Sequence, residues 1–492
     1  MGKKIFDFKL KAFFIDVFKD KVFVVGGTIR DYYIYNRVDV DRDIDLVVLD
    51  HTYEEIEKKL RPFGKTNTVG KSFAVVKFTR DGKIFDISLP RKDAKLDPLS
   101  NSHKNFIVES GPQINLVEDL KRRDFTCNSI AIRLIDNKIF DPFNGYKAIK
   151  EKKIYMTGAE TFFDDPLRIL RGARFASVHK FSVDEEIYLK AKKVNLNELS
   201  KERVQEELFR LMLESKNPSY GLNEYFKLSV IEKLFPELYV LTLTIQDKIF
   251  HPEKDEFGNH TVWVHTLKTI DISKELSRKF DLDEESTLAL LLAALLHDIG
   301  KAHTTKWEFK RGRMTVTSLF HDTKGVKIAD KFLCNLKIET WKNFPLKRVI
   351  LNLIKNHHRI FELYRNREDI GFKAISRLVR DLEGYDFLLI LLDFADRQSR
   401  EIEPLSFKDV DEISKWILNK KEEYNINQDT IKPLIMGRDL LDLGISPGEE
   451  MGRHLKELYD LQLDGKFKTK ENGIEIFKKL ISDTKGKSRK DE

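Results

Sequence analysis

The chain has 492 residues, 41% of them hydrophobic, so it is long enough to bury more than one core and predicts three or four domains. Its net charge of +7, from 87 basic and 80 acidic residues, is compatible with a nucleic-acid partner but too small to indicate one by itself. Two cysteines without metal-type spacing argue against a disulfide framework, and the most apolar run, residues 288–296, is too short to span a bilayer. Because lysines also interrupt the N-terminal apolar residues, we expect a cytoplasmic protein with no membrane partner.

The first predicted element is a buried strand that leads into a helix through two glycines. Residues 22–25 form an apolar run, Gly26 and Gly27 follow, and the helix begins near Thr28. Such a turn brings backbone N–H groups and the positive end of a helix up to a phosphate. Arg30 lies on the first turn of this helix and is a candidate to bind triphosphate oxygens with both arms of its guanidinium.

Two carboxylates precede the next apolar run, at residues 46–49. Asp43 and Asp45 alternate along an extended segment, so both side chains point to the same side. Carboxylates beside a phosphate site suit Mg²⁺, and the whole stretch therefore predicts a nucleotidyl-transfer centre. Asp86 lies in the second strand of a hairpin predicted over residues 73–89. It is either a third metal carboxylate or a polar residue on the solvent face of its strand.

Helical patterns replace strand patterns after about residue 150. Before that point, the polar residues 92–110 predict a mobile loop. Apolar residues at helical spacing then predict four helices, at residues 162–176, 185–193, 202–214 and 221–227. The polar segment 246–260 marks a boundary, beyond which two further helical blocks follow.

Adjacent arginines form a second motif, in residues 121–128. Two neighbouring arginines usually lie on a free surface, but these directly precede an apolar stretch, residues 130–135, which places them at the edge of a core element. Arg123 is a candidate nucleotide contact, and Asp124 is placed to orient its neighbours. Asn128 can read a ribose hydroxyl.

Arginines recur every three residues in a third motif, residues 164–175, which predicts a helix with Asp164 as its N-cap. The arginines on this helix are Arg168, Arg171 and Arg174. One interpretation is a solvated basic face. However, Asp165 lies three residues before Arg168, and such a pair can present an acceptor and a donor fork to the edge of a base.

Together, these motifs resemble those of the class II tRNA nucleotidyltransferases, the family of the CCA-adding enzymes and the bacterial poly(A) polymerases. GGTIRD with DID resembles the nucleotide and metal motif of that family, and KRRDFTCNSIA and DDPLRILRGARF resemble its ribose and base-selection motifs. SKERVQEEL, residues 200–208, resembles its neck helix. The resemblance implies addition of CMP, CMP and AMP to the tRNA 3′ end from CTP and ATP, without a nucleic-acid template. Asp43 and Asp45 would hold two Mg²⁺ ions.

The resemblance also implies how the base is selected. Asp165 would accept a hydrogen bond from the exocyclic amino group of cytosine or adenine, and Arg168 would donate to the adjacent ring acceptor. Uracil and guanine present a carbonyl at that edge and would be rejected. The triphosphate and ribose would contact the remaining candidates, which are Gly26, Gly27, Arg30, Arg123, Asp124, Asn128, Arg171 and Arg174. Residues 89–110 resemble the longer version of a family loop, which favours complete CCA addition.

A fourth group of residues lies outside the predicted head: His265, His297, Asp298 and Asp396. Imidazole and carboxylate ligands together suit a divalent transition metal or Mg²⁺ that activates water. The pattern resembles an HD-type phosphohydrolase domain, which implies phosphatase and 2′,3′-cyclic phosphodiesterase activities. His321 and His357 would extend the site to a second metal or contact a phosphate.

The resemblance implies a multidomain fold. An N-terminal α/β nucleotidyltransferase head with a small mixed sheet would precede an all-α neck, an HD domain and a helical tail that binds tRNA. The expected bounds are 1–140, 141–245, 246–400 and 401–492. Alternative functions are CC addition only, A addition only, poly(A) synthesis, or a phosphohydrolase whose head is an RNA-binding module. Either a monomer or a dimer is compatible with the sequence.

Overall fold

The computed structural model describes residues 10–36, 44–69, 75–95, 106–160, 162–310, 312–402, 405–424, 426 and 432–487. Asp43 and residues 96–105 of the predicted loop lie outside these ranges. The chain divides into two compact units, Met1–Tyr239 and Val240–Glu492. This division lies close to the boundary expected at residue 245, and the finer division into four domains stays a prediction.

The first unit is built on a seven-stranded mixed sheet, as predicted for the head. Its strands and those of two smaller ladders are β1 (Val22–Val25), β2 (Ile44–Val48), β3 (Lys65–Val69), β4 (Val75–Arg80), β5 (Lys83–Ser88), β6 (Arg91–Lys95), β7 (Phe106–Ser110), β8 (Ala131–Arg133), β9 (Ile139–Phe140), β10 (Lys153–Ile154) and β11 (Ser182–Val183). The large sheet has the order β3-β4-β5-β2-β1-β8-β9. Within it, β2 and β5 are parallel and the other neighbours are antiparallel.

Helices surround this sheet and then replace it along the chain. They are α1 (Lys11–Phe18), α2 (Gly27–Tyr35), α3 (Tyr53–Leu60), α4 (Leu116–Lys121), α5 (Gly145–Glu151), α6 (Leu167–His179), α7 (Glu185–Ala191), α8 (Lys201–Glu214), α9 (Pro218–Lys227), α10 (Val230–Leu234) and α11 (Pro236–Tyr239). The strand over residues 22–25, the helix that follows it and the helical series after residue 150 are thus confirmed.

Strand β1 lies inside the sheet and is buried along its whole length. Phe23 and Val25 pack in one apolar cluster with Val47 of β2. In the same sheet, Phe85 of β5 contacts Phe14 of α1 with ring centroids 4.8 Å apart. Burial on both faces explains why β1 is a continuous apolar run rather than an alternating one. The glycine turn therefore begins from one of the most firmly packed elements of the unit.

The predicted loop over residues 92–110 is wrong at its described ends. Strands β6 and β7 pair antiparallel, with Lys92 opposite Glu109 and Ala94 opposite Ile107. Strand pairing depends on hydrogen bonds between backbone groups, and polar side chains do not prevent it. The two ends of this polar segment therefore pair as an antiparallel ribbon.

The second unit is almost entirely helical. Its elements are α12 (Val262–Lys279), α13 (Glu284–Leu296), α14 (Lys301–Thr304), β12 (Lys306–Lys310), β13 (Arg313–Thr317), α15 (His321–Asn335), α16 (Leu346–Asn356), α17 (Arg359–Arg365), α18 (Phe372–Leu382), α19 (Asp386–Ser399), α20 (Phe407–Glu423), α21 (Gly437–Asp442), α22 (Glu449–Leu463) and α23 (Lys470–Lys487). Residues 288–296 are all buried within α13, as expected of a core helix. Among the described residues, none of the helices combines the length and apolarity needed to cross a membrane.

Candidate functional site

The turn between β1 and α2 brings three of the predicted residues together. Gly26 has φ of 72°, a conformation that favours glycine. A Cβ placed on Gly26 would lie 2.8 Å from Nη1 of Arg123 and 3.5 Å from Oδ2 of Asp45. The glycine therefore leaves room for a guanidinium and a carboxylate directly beside the start of a helix.

Two of the three predicted metal carboxylates, Asp45 and Asp86, lie on neighbouring parallel strands. Asp45 of β2 is in register with Asp86 of β5, so the two side chains leave the same face of the sheet. Asp86 forms an ion pair with Lys77, in which Nζ of Lys77 lies 3.1 Å from Oδ1 of Asp86. Asp43, the second predicted ligand, lies outside the described residues. Carboxylate oxygens at Asp45 fit a hard divalent cation, and a role for Asp86 as a third ligand stays a prediction.

A buried hydrogen-bond network joins the first two motifs to the third. Nη1 of Arg30 donates to Oδ1 of Asn128 at 2.7 Å, and Nδ2 of Asn128 donates to Oδ1 of Asp124 at 2.9 Å. The other oxygen of Asp124 accepts from Nε of Arg171 at 2.9 Å. Burial raises the pKa of Asp124, but the Arg171 guanidinium and the hydrogen bond from Asn128 outweigh it and lower this pKa to about 2. Asp124 is therefore an anion that orients arginines, as predicted.

The three arginines of α6 do not form one shared face. Arg168 donates to the carbonyl of Arg122 at 2.7 Å, whereas Arg171 pairs with Asp124. Arg174 is 1% exposed and pairs with two glutamates of α8, Glu207 and Glu214, at 2.8 Å each. Each three-residue step falls about 60° short of a full helical turn, so the third arginine faces α8.

The start of α6 differs from the prediction. Asp164 ends a short 3₁₀ turn, and the predicted N-cap at this residue is wrong. Because Pro166 has no N–H, the first amide that needs an acceptor is that of Leu167, and it donates to Oδ1 of Asp165 at 3.1 Å. Oδ2 of Asp165 also accepts from Nη2 of Arg203 on α8 at 2.9 Å. Arg203 was not among the residues predicted from the sequence.

These side chains line one cavity of about 450 Å³ in the first unit. Seven arginines and three aspartates contribute to its wall, so it is strongly basic and suited to a polyanionic ligand. Arg174 does not belong to this lining. The lining residues are Gly26, Gly27, Arg30, Asp45, Arg122, Arg123, Asp124, Asn128, Asp165, Leu167, Arg168, Arg171, Phe175, Arg203 and Arg210.

A separate group of buried histidines and aspartates lies in the second unit. Nε2 of His265 is 2.9 Å from Oδ1 of Asp396, and Nε2 of His297 is 3.3 Å from Oδ2 of Asp298. The two imidazole Nε2 atoms are themselves 3.3 Å apart. All four side chains are at most 1% exposed. The structure therefore brings together the four residues predicted as ligands.

Three further histidines adjoin this group through Asp298 and Asp396. Nε2 of His321 is 3.3 Å from Oδ1 of Asp298 and 3.3 Å from Nε2 of His357. The third, His358, was not predicted as a ligand, although its position next to His357 in the sequence was a signal. Its Nε2 is 3.3 Å from that of His321, and its Nδ1 is 3.4 Å from Oδ2 of Asp396. His321, His357 and His358 form a second triad of possible metal ligands beside His265, His297 and Asp396.

The orientation of these rings is set by the backbone. Nδ1 of His297, His321 and His357 lies within 2.7–2.8 Å of the carbonyl of the residue three positions earlier. An N–H at Nδ1 donates there and leaves the Nε2 lone pair facing the cluster, which is the form that binds a metal. Both oxygens of Asp298 are buried, with Oδ2 3.3 Å from Nε2 of His297 and Oδ1 3.3 Å from Nε2 of His321. Buried lone pairs of nitrogen and oxygen that face one another fit a divalent metal ion.

Cations around the cluster keep its carboxylates charged. Burial opposes ionisation of Asp298, but Lys301, with Nζ 2.7 Å from Oδ2, and His297 lower its pKa well below the usual range. Burial likewise opposes ionisation of Asp396, whose pKa is lowered well below the usual range by Arg400, 2.5 Å away. Both aspartates are thus anions, which is the form of a carboxylate that binds a metal.

Comparison with known proteins gives three matching family models. They are a poly(A) polymerase head domain over residues 22–155, a probable RNA- and SrmB-binding site of polymerase A over residues 181–241, and an HD domain over residues 262–401. The multifunctional CCA protein of Stenotrophomonas maltophilia is 31% identical over 350 residues, which are 70% of this chain and 78% of that protein.

Solved structures share the fold. The apo form II of a CCA-adding enzyme superimposes with a TM-score of 0.58 at 21% identity, covering 97% of both chains. The CCA-adding enzyme of Thermotoga maritima, solved in complex with tRNA, superimposes with a TM-score of 0.52 at 20% identity, again covering 97% of both chains. The predicted fold, an α/β head followed by helical parts that include an HD domain, is confirmed.

Proposed function

The chain belongs to the family of the multifunctional CCA proteins, and from this membership we propose that it adds C, C and A to the 3′ end of tRNA. CTP and ATP are the proposed donors, and no nucleic-acid template is used. The observation that carries the proposal is the 450 Å³ cavity, which combines a helix start beside Gly26, the carboxylate of Asp45 and seven arginines. We place this reaction in the cytoplasm, and both a monomer and a dimer are compatible with it.

The triphosphate is bound by backbone and guanidinium groups. The N–H groups that follow Gly26 and the positive end of α2 face the phosphates, with Arg123 beside them. Arg30 and Arg171 are held by the Asn128–Asp124 network and add positive charge. The tRNA 3′-hydroxyl attacks the α-phosphorus in line, a new phosphodiester forms, and pyrophosphate leaves. Two Mg²⁺ ions held by Asp43 and Asp45 would supply charge neutralisation and activation of that hydroxyl.

Base selection rests on Asp165 and Arg168. Asp165 accepts a hydrogen bond from the amino group of cytosine or adenine, and Arg168 donates to the neighbouring ring acceptor. With uracil or guanine, these groups face the wrong partner, at a cost of ~1–3 kcal/mol for each unmade hydrogen bond. Arg203 orients the carboxylate of Asp165 from the side of α8. For Arg174 the proposal is a structural role in place of the expected nucleotide contact, because its buried pairs with Glu207 and Glu214 join α6 to α8.

The decisive experiment offers the protein tRNA that ends at the discriminator base, at C or at CC, with CTP or ATP alone. We expect C addition to the first two and A addition to the third. Failure to add A to the tRNA ending in CC would indicate an enzyme that adds only CC. A long A tail would indicate poly(A) synthesis. Addition of A without any addition of C would indicate an enzyme that adds only A. An Asp45→Ala variant should lose all end addition while keeping its fold, and full activity in that variant would overturn the catalytic assignment.

A second function is favoured by the histidine–aspartate cluster, and we propose metal-dependent hydrolysis of phosphate esters there. A divalent metal held by His265, His297, Asp298 and Asp396 would supply an activated water. Lys301 and Arg400 add positive charge beside the ligands. The test is hydrolysis of p-nitrophenyl phosphate with Mg²⁺, Mn²⁺, Co²⁺ or Ni²⁺. A His297→Ala variant should be inactive in this assay, and equal activity in that variant would contradict the proposal.

A further inference from the structure

We propose that Glu253 is a positioning residue of the histidine–aspartate cluster, which orients the imidazole of His265 and strengthens its binding to a divalent metal. This inference rests on the metal site of the hydrolysis proposed above and concerns a residue outside the proposed ligands. Glu253 lies in the polar segment 246–260, which the sequence predicts only as a boundary, although Glu253 is just 3% exposed. A buried carboxylate needs hydrogen-bond donors, and those that face Glu253 are two imidazoles.

Side chains, rather than a backbone carbonyl, surround Nδ1 of His265. This atom lies 3.0 Å from Oε1 of Glu253 and 2.9 Å from Oγ of Ser399. The hydroxyl of Ser399 donates to the carbonyl of Asp396 at 2.7 Å, so its oxygen is left to accept. Because both neighbours are acceptors, the proton of the neutral imidazole lies on Nδ1. The lone pair of Nε2 then faces the cluster and is free to bind the metal.

Glu253 adds a negative charge that Ser399 lacks. A carboxylate that accepts from one nitrogen of an imidazole makes the other nitrogen a stronger electron donor to a metal. Loss of such a partner typically lowers metal affinity by about 10- to 100-fold. Glu253 is therefore expected to affect the strength of metal binding as well as the orientation of the ring.

A second imidazole holds Glu253 in place. Nδ1 of His251 lies 2.8 Å from the same Oε1, so both imidazoles donate to one carboxylate oxygen. On its other side, Nε2 of His251 is 3.5 Å from Nζ of Lys301. This Nζ also lies 2.7 Å from Oδ2 of Asp298, a second proposed ligand. Glu253 thus belongs to a buried set of contacts that joins two ligands of the cluster, His265 and Asp298.

His251, Glu253 and His265 are also close enough together to bind a metal ion of their own. Two observations favour the positioning role. A neutral imidazole has one lone pair, so His265 cannot bind one metal through Nδ1 and another through Nε2. The ammonium group of Lys301, beside His251, would in addition repel a cation at that place.

The test measures the affinity of the metal-free, full-length protein for Mn²⁺ by equilibrium dialysis. Glu253→Gln keeps the shape of the side chain and removes its charge, and it should raise Kd about 10- to 100-fold. Glu256→Gln, an exposed change in the same segment, is the matched control and should leave Kd unchanged. An unchanged Kd in Glu253→Gln would overturn the inference. Loss of one of two bound Mn²⁺ ions, with the other Kd unchanged, would instead indicate a separate metal site and would also overturn it.

The visible absorption of bound Co²⁺ separates positioning from a purely structural role, because the geometry of the ligands determines this absorption. Glu253→Gln saturated with Co²⁺ should have a spectrum different from that of the wild type, whereas Glu256→Gln should not. A spectrum and a Kd equal to those of the wild type, together with a lower Tm of the metal-free variant, would show that Glu253 only anchors the segment 246–260.

These measurements do not depend on turnover. If the wild type binds Mn²⁺ but does not hydrolyse p-nitrophenyl phosphate, the proposed hydrolysis fails, and the Kd of Glu253→Gln still decides the role of Glu253. If the wild type binds neither Mn²⁺ nor Co²⁺, both the hydrolysis and the positioning role are refuted.

Discussion

At the scale of single residues, Asp124 controls two arginines of the nucleotide cavity at once. It accepts from Arg171 directly, and through Asn128 it fixes the side chain that accepts from Arg30. Because the network is buried and satisfied, these guanidinium groups are held in position before a nucleotide arrives. The anion therefore contributes to stability and to orientation of the site together.

The depressed pKa of Asp124 predicts a pH dependence of stability. Since its pKa is about 2 when folded and near 4 when unfolded, its contribution is present above pH 4 and is lost as the pH falls through 2. The pKa difference corresponds to ~2 kcal/mol at neutral pH. The charged groups that face it are Arg171 and, on the far side of that arginine, Glu207. The free energy of unfolding in urea should therefore be measured for wild type and Asp124→Asn. The difference between the two proteins should be about 2 kcal/mol smaller at pH 2 than at pH 6.

Asp136 provides the control for this measurement. The pKa of this exposed carboxyl is also lowered to about 2, first by a hydrogen bond from Arg133, but solvent screens the pair. Asp136→Asn should therefore show a smaller change between the two pH values, which added salt removes. A difference as large as that of Asp124→Asn would mean that burial is not what makes the Asp124 pair strong.

Arg203 is predicted to position the base-selecting carboxylate. It is expected to act on Asp165 rather than on the nucleotide alone, because Nη2 lies 2.9 and 3.2 Å from the two carboxylate oxygens. Arg203→Ala should lower kcat/KM for CTP and ATP ten- to hundredfold, corresponding to ~1–3 kcal/mol, and reduce discrimination against UTP. Arg203→Lys should restore part of both. Lys201→Ala, an exposed change in the same helix, should have no effect, and unchanged UTP discrimination in Arg203→Ala would contradict the assignment.

At the scale of elements, the turn from β1 to α2 is constrained by backbone conformation and by space. Gly26 has φ of 72°, and a Cβ there would approach Nη1 of Arg123 within 2.8 Å. The arginine end is flexible, so it can move away at little cost to stability. Displacement of the Arg123 guanidinium, however, removes a positive charge from the proposed phosphate site.

Gly26→Ala is therefore predicted to cost activity more than stability. Gly82, in the β4–β5 turn, has φ of 73° and nothing within 4 Å of its virtual Cβ, which makes it a matched control. Both substitutions should destabilise the protein, by at least ~1–2 kcal/mol, because each glycine has a positive φ that a residue with a Cβ adopts only with strain. Only Gly26→Ala should also lower kcat/KM for end addition at least tenfold. Thermal unfolding and steady-state kinetics measure the two effects, and similar kinetics for both variants would refute the role of the close approach.

Sequence patterns predicted some elements well and others not at all. The sequence predicted strand β1 and helix α13 because each is a continuous run of apolar residues. Such a run is stable only when it is buried in a core. The β6–β7 ribbon was not predicted, because it pairs two polar segments that carry no apolar pattern. The sequence predicted Asp164 as the N-cap of α6, whereas Asp165 accepts from the first helical amide. The sequence could not distinguish these adjacent aspartates, because the choice depends on the local geometry around Pro166.

At the scale of the whole molecule, the side-chain pairs that join α6 to α8 link residues distant in sequence. Asp165 and Arg203 are 38 positions apart, and Arg174 and Glu207 are 33 apart. Periodicity within α6 indicates which arginines share a face but not which face meets α8, so these partners needed the tertiary fold. His358 is different: it was not predicted, although its adjacency to His357 in the sequence was a signal that needed no tertiary fold.

Two sites in two compact units predict that metal binding and end addition can be separated. A small molar excess of Mn²⁺ added to metal-free protein should slow amide hydrogen exchange in α12, α13 and α19, which carry or precede the proposed ligands. At a metal concentration 100-fold above Kd, the protection should correspond to ~2.7 kcal/mol. His297→Ala should abolish this protection and keep CCA addition with Mg²⁺, whereas Asp45→Ala should keep the protection and lose end addition. Protection that survives His297→Ala, or loss of end addition in that variant, would show that the two sites do not act independently.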